Sequence, residues 1–255
     1  MGVMEISHIV EEDQDFHKMD TVNSRMNFEK AASSLDQALD ILDVYAPVKK
    51  SMLSALEGKA LVGKKAYEDV TARKDELLRT AKKIYALDRE KAERKADILK
   101  LENSIESLKP WMNLDVPMNL SGTKKTAMLL GTMPGQMGLE DVLKVLAEKA
   151  PEIESVDARI IFTEPDTVYL AVFCMRTEEA RVEEALRSAG FAKPSQVWAD
   201  TPMREKALLE EKIQGDADRI GEIEKEVSGF AAAREDFKIL ADYYRGPLLD
   251  AADFV

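Results

Sequence analysis

Residues 70–108 read VTARKDELLRTAKKIYALDREKAERKADILKLENSIESL, and their spacing decides the fold. Val70, Leu77, Ile84, Ile98 and Ile105 recur at multiples of seven, and Leu87, Leu101 and Leu108 supply the second apolar position of the repeat. A matching stretch returns later as Leu209, Ile213, Ile220, Ile223, Val227, Phe230, Phe237, Ala241 and Tyr244. Two amphipathic helices of similar length flanking a compact segment most simply pair with each other. The expected fold is therefore α+β: a long antiparallel two-helix coiled coil carrying a ferredoxin-like βαββαβ lobe at its tip.

Working outward, Pro110 stops the outgoing helix, which runs from about Lys65 to Leu108. At ~1.5 Å per residue it measures about 65 Å. Pro202 opens the returning helix behind Thr201 or Asp200 as cap, and that helix ends near Arg245 before Gly246-Pro247. With the helices closing at the lobe, Ile105 belongs near Leu208 and Leu209, and Leu77 near Phe237. Arg73, Thr80, Lys91, Arg94, Asp216 and Arg234 are polar residues at seam positions, and Lys91 or Arg94 can reach Asp218 and Glu222. The domain expectation is a remnant lobe over 1–63, the outgoing helix over 64–110, the α/β lobe over 111–200 and the returning helix over 201–255.

Before the long helix, residues 3–8 read as a strand and Val22 to Tyr45 as a helix whose Phe28, Ala31, Ala32, Leu35, Leu39, Leu42 and Tyr45 share a face. A turn region follows Pro47, with a short helix around Ser51 to Glu57. In the lobe, strands are expected at Ala127–Met133, Ser155–Thr163, Val168–Met175 and Ser195–Trp198, with helices from Leu139 to Lys149 and from Thr177 to Gly190.

Composition removes several functions. The chain holds 255 residues with a net charge of -12, so phosphate backbones and anionic lipid lack a general electrostatic attraction, and neither nucleic acid nor polybasic membrane docking is expected. No apolar run reaches the ~20 residues of a membrane span, so no direct membrane insertion is expected. The single cysteine, Cys174, excludes an internal disulfide framework, and its apolar surroundings make it a core residue.

No catalytic, cofactor-binding or metal-binding set is expected. Gly131-Thr132-Met133-Pro134-Gly135-Gln136-Met137-Gly138 lies between a strand and a helix, as a phosphate loop does, yet lacks the P-loop lysine and hydroxyl and the dinucleotide glycine spacing. It reads as a turn needing positive φ. His8 and His17 flank an acidic run without metal-ligand spacing. Met112, Met118, Met128, Met133 and Met137 read as core gap-fillers where the lobe begins.

One surface stands out. If Glu164-Pro165-Asp166-Thr167 is a simple turn, Val156, Ala158, Ile160 and Phe162 share a face with Tyr169, Ala171, Phe173 and Met175, and this face receives the helices. The opposite face, with Asp157, Arg159, Ile161, Leu170 and Val172, then has no partner and is the expected protein-docking surface. A register slip of one residue exchanges the two faces.

The order of elements resembles the cytoplasmic part of subunit I, the a subunit, of V-type/A-type rotary ATPases. The carrying residues are Gly2-Val3-Met4-Glu5-Ile6, Leu42-Asp43-Val44-Tyr45-Ala46-Pro47, Leu130-Gly131-Thr132-Met133-Pro134, and Glu183 to Phe191 followed by Thr201-Pro202. The resemblance implies a non-catalytic stator piece on the cytoplasmic face of a membrane-bound complex. Its distal lobe would bind peripheral stalk subunits of the E/G type, its helices would lead to the membrane domain of the same subunit, absent from this sequence, and ATP synthesis and proton transport would belong to the parent complex.

Two other readings compete. One is a small-molecule-binding regulatory module whose ferredoxin-like lobe senses a ligand through residues 131–138; the other is a homodimeric scaffold whose helices pair between chains.

Overall fold

In the computed structural model, residues 22–48, 61–135 and 137–252 are described. The expected strand at 3–8, the helix around Ser51 to Glu57, and both histidines lie outside them. The chain divides into two compact units, residues 1–92 with 220–255, and residues 93–219. This division cuts across both long helices, whereas the sequence placed its boundaries at their ends.

The first unit is helical. Helix α1 spans Val22–Tyr45, α2 spans Lys64–Ala72, and α3 begins at Lys74 and continues to Leu108. Helix α6 is Pro202–Gly229, and α7 is Arg234–Ala252. The expected unbroken outgoing helix is interrupted at Arg73, whose backbone adopts φ -99° and ψ 15°. Two residues earlier the Thr71 hydroxyl bonds back to the carbonyl oxygens of Tyr67 at 2.8 Å and Glu68 at 3.1 Å, a competition that favours a bend, although the same bond from Thr80 to Glu76 leaves α3 unbroken. The returning helix is likewise broken, by a 3-10 turn over Phe230–Ala233.

Its core is the helix seam. Leu77, Ile84 and Leu87 of α3 pack with Ile223 and Val227 of α6, Phe237 and Leu240 of α7, and Ala32, Leu35, Ala38 and Leu42 of α1. Alanines on α1 and Ala241 on α7 let these helices approach closely. Leu77 and Phe237 share this core, as the seam register required. Polar seam residues find partners: Arg73 pairs with Asp236 at 2.9 Å, Lys83 with Glu226 at 2.6 Å, and Lys91 with Glu224 at 2.7 Å. Residue numbers rise along α3 while those of its partners fall, which is antiparallel pairing within one chain.

The second unit contains a three-stranded antiparallel sheet, β1 (Thr126–Pro134), β2 (Val156–Glu164) and β3 (Thr167–Met175), in the order β1-β3-β2. Helix α4 (Leu139–Lys149) joins β1 to β2, and α5 (Glu179–Ser188) follows β3. The expected strand at Ser195–Trp198 does not form. Just before this segment a single residue, Ala192, bridges to β1, exchanging two backbone bonds with Thr132 at 2.8 and 2.9 Å. Pro194 then removes a donor, and the Trp198 carbonyl turns to the amide of Asn119 at 3.0 Å.

Both faces of β1 and β3 are covered, while β2 is exposed over most of its length. One face receives α4 and α5 through Leu129, Met133, Val142, Leu146, Val182 and Leu186. The other receives Leu108, Trp111, Leu114, Met118 and Leu209, with Leu101 and Ile105 beside them. Ile105 and Leu209 thus join one cluster. Arg94 and Asp216 meet at 2.6 Å in the same unit.

Candidate functional site

The sheet decides where the expected docking residues lie. Phe162 pairs with Tyr169 next to the turn, but Ile160 pairs with Leu170 and Ala158 with Val172, because Ile161 is an extra residue in β2. That bulge exchanges the faces beyond it. Leu170 and Val172 are fully buried among α4 and α5, whereas Asp157 and Arg159 are exposed opposite Phe173 and Ala171. Ile161 packs at the margin of the Trp111 cluster, and its carbonyl accepts a bond from the Asn113 amide at 3.2 Å. The five residues therefore do not form one surface, and the face assigned as unpartnered is covered within the chain.

The glycine-rich segment is filled at Gly131 and open at Gly135. A side-chain carbon on Gly131 would lie 2.2 Å from the Phe191 ring, so glycine is there to admit Phe191. Gly135 carries φ +84°, the turn conformation the sequence suggested. At the start of α4 the Asp141 carboxylate accepts the Gly138 amide at 2.8 Å. With Glu140 beside it, that helix end already carries negative charge, which opposes a phosphate.

Met118, Met128 and Met133 are buried in the two lobe cores. Cys174 is buried as well, and burial, with Glu179 and Glu178 nearby, pushes its thiol up, away from nucleophilic use. Among the described residues no three His, Cys, Asp or Glu side chains gather to hold a metal ion.

In the helical unit the polar seam forms a connected network. The Tyr45 hydroxyl donates to Asp88 at 2.7 Å, and the Lys91 ammonium lies 4.3 Å from the Tyr45 ring centre while paired with Glu224. Burial, then the bond to Asp88, pushes the Tyr45 phenol up. Burial lowers Lys91, but bonds to Glu224 and Tyr45 outweigh it, so the ammonium is held above its ordinary value. A groove of about 620 Å³ borders this network beside Gly221. Asp88, Lys91 and Glu224 are thus each engaged in the network that joins α1, α3 and α6.

The lobe has a more distinctive feature that sequence reasoning missed. A cleft of about 440 Å³ is lined by Pro110, Trp111, Thr132, Glu164, Tyr169 and Pro194, among others. Trp111 and Tyr169 meet edge to face, their ring centres 5.3 Å apart, and the Tyr169 hydroxyl donates to Glu164 Oε2 at 3.2 Å. Burial, then Glu164, pushes this phenol up, so it stays a donor. At the rim Lys193 is held by Glu183 at 2.8 Å, and Glu106 by Lys109 at 2.7 Å. In the sequence its parts are scattered: an aromatic pair split between the end of a long helix and a strand, with an acid at the hairpin turn.

These elements define an α+β protein of long paired helices and a three-stranded antiparallel sheet. The same fold occurs in the crystal structure of the cytoplasmic N-terminal domain of subunit I, homolog of subunit a, of V-ATPase, with a TM-score of 0.52 at 16% identity, over 91% of this chain and 73% of that one. Neither a family model nor a curated protein sequence matches the chain. No helix among the described residues is long and apolar enough to cross a membrane.

Proposed function

We propose that this chain is a non-catalytic stator element of a V-type/A-type rotary ATPase, on the cytoplasmic face of the membrane. The observation that carries the reading is the fold shared with the subunit I domain over 91% of the chain. In this role the paired helices act as a coiled-coil arm. The lobe, ferredoxin-like in its order except for the absent fourth strand, takes the peripheral stalk, of E/G type, and the arm leads to the membrane domain of the same subunit.

The physical chemistry supports the assignment. A stationary part must resist torque, and seam ion pairs with the apolar core of the helical unit supply stiffness without chemistry. The small-molecule reading draws no support from Gly131, where Phe191 fills the space beside the backbone, or from the start of α4, where Glu140 and Asp141 oppose an anion. The between-chain scaffold draws none either, because the seam residues of the helical unit are already buried within one chain.

The test is complex formation with a purified peripheral stalk pair, followed by calorimetry and size-exclusion chromatography. A one-to-one complex is expected; no association at high micromolar concentration overturns the reading.

A further inference from the structure

We propose that the cleft between Trp111, Tyr169 and Glu164 receives an arginine side chain presented by a partner protein, an assignment that rests on reading the lobe as a partner-binding element. The argument begins with charge. Lys193 and Glu106 each have an opposite charge in contact, but among the described residues no cation pairs with Glu164. The uncompensated charge in the cleft is thus negative, on a chain of net charge -12, and it invites a cationic group.

Geometry then selects among cations. The Tyr169 ring is fixed in advance, by the perpendicular Trp111 ring at 5.3 Å, by the tilted Phe162 ring at 6.2 Å and by its own hydroxyl bond to Glu164. A planar guanidinium can lie on such a ring and present two parallel donors to the adjacent carboxylate, whereas an ammonium is a compact point charge without a stacking face. Pro110 and Pro194 offer apolar walls along which the aliphatic stem can lie, and about 440 Å³ accommodates it. The preformed orientation reduces the ordering cost of binding.

The chain has two tryptophans, Trp111 in the cleft and Trp198 outside its lining, so fluorotryptophan labelling of the whole chain gives a reporter and an internal reference. Titration with N-acetyl-arginine amide is expected to shift the Trp111 fluorine resonance saturably and leave Trp198 in place. The citrulline analogue, which keeps the shape and lacks the charge, and the lysine amide should bind at least about five-fold more weakly. Glu164→Gln should abolish the arginine preference while retaining the separated resonances of the folded protein, and Tyr169→Leu should weaken arginine more than lysine. Equal responses to arginine and citrulline, or no response to arginine, overturn the assignment. If the probe fails while the stalk pair still binds, the stator reading stands without this site; if the probe succeeds and the stalk pair does not bind, the site stands without that reading.

Discussion

The guanidinium of Arg234 donates to the main-chain oxygen of Ala46 at 2.6 Å, across 188 positions of sequence. It also donates to the Leu42 carbonyl at 3.0 Å and pairs with Asp43. One buried side chain at the start of α7 thereby binds the carbonyl end of α1: it adds a second donor to the Leu42 oxygen, which also accepts the Ala46 amide at 2.8 Å, and supplies a donor to the Ala46 oxygen just beyond the last turn. Arg234 is only 7% exposed, so its removal opens a void beside Leu42 and takes the side-chain donor from the Ala46 oxygen.

Arg234→Ala is therefore expected to cost about 2 kcal/mol in urea unfolding, and Arg234→Lys about half as much, since lysine keeps the charge but loses the planar fork. Equal stability of both variants and the parent would remove the capping role.

Glycines should respond with opposite signs according to the space around them. Gly215 and Gly221 lie inside α6, and an added methyl at either meets nothing within 4 Å. Alanine there should stabilise by roughly 0.5–1 kcal/mol each, by restricting the unfolded chain. Gly131→Ala should instead destabilise by about 2 kcal/mol or more, because the Phe191 ring must move. Thermal melts of the three variants check the signs.

The bulge at Ile161 sets a contrast across the sheet. Leu170→Ala and Val172→Ala should cost about 2–4 kcal/mol as core truncations, while Arg159→Ala should stay within about 0.5 kcal/mol. If Leu170→Ala proved neutral, the face assignment would be reversed.

The Tyr45–Lys91 network predicts alkaline sensitivity. Both groups hold their protons above ordinary values of 10.0 and 10.5 in the folded protein. Their contribution is fully present below those values and is lost as pH rises through the higher folded ones. Stability measured from about pH 9 to about pH 11 should fall, and fall less steeply in Tyr45→Phe with Lys91→Met. An unchanged slope in that double variant would argue that other groups govern the decline.

The helices were legible because each buries one stripe, and a stripe leaves its period in the sequence: Leu77, Ile84 and Leu87 announce the seam, and Phe28 to Tyr45 announce α1. The sheet was harder. Val168 to Met175 is apolar at nearly every position, the mark of a strand buried on both sides, and alternation cannot assign faces to such a strand. The bulge compounds this, since no residue type near Ile161 advertises it. Pro194, by contrast, stood in plain view before the strand that failed to form. The aromatic cleft was hidden because Trp111 and Tyr169 lie 58 positions apart and meet only through the end of α3.

A central strand with hydrophobic layers on both sides has a mechanical corollary. Ala171 touches the layer of Leu108, Trp111 and Leu209, while its neighbours Leu170 and Val172 touch the layer beneath α4 and α5. The partition is a single strand thick, and close-packed interiors yield little to compression. Pressure applied to the Trp111 side is accordingly handed to α4 and α5 with small loss, so the lobe answers a push as one solid block.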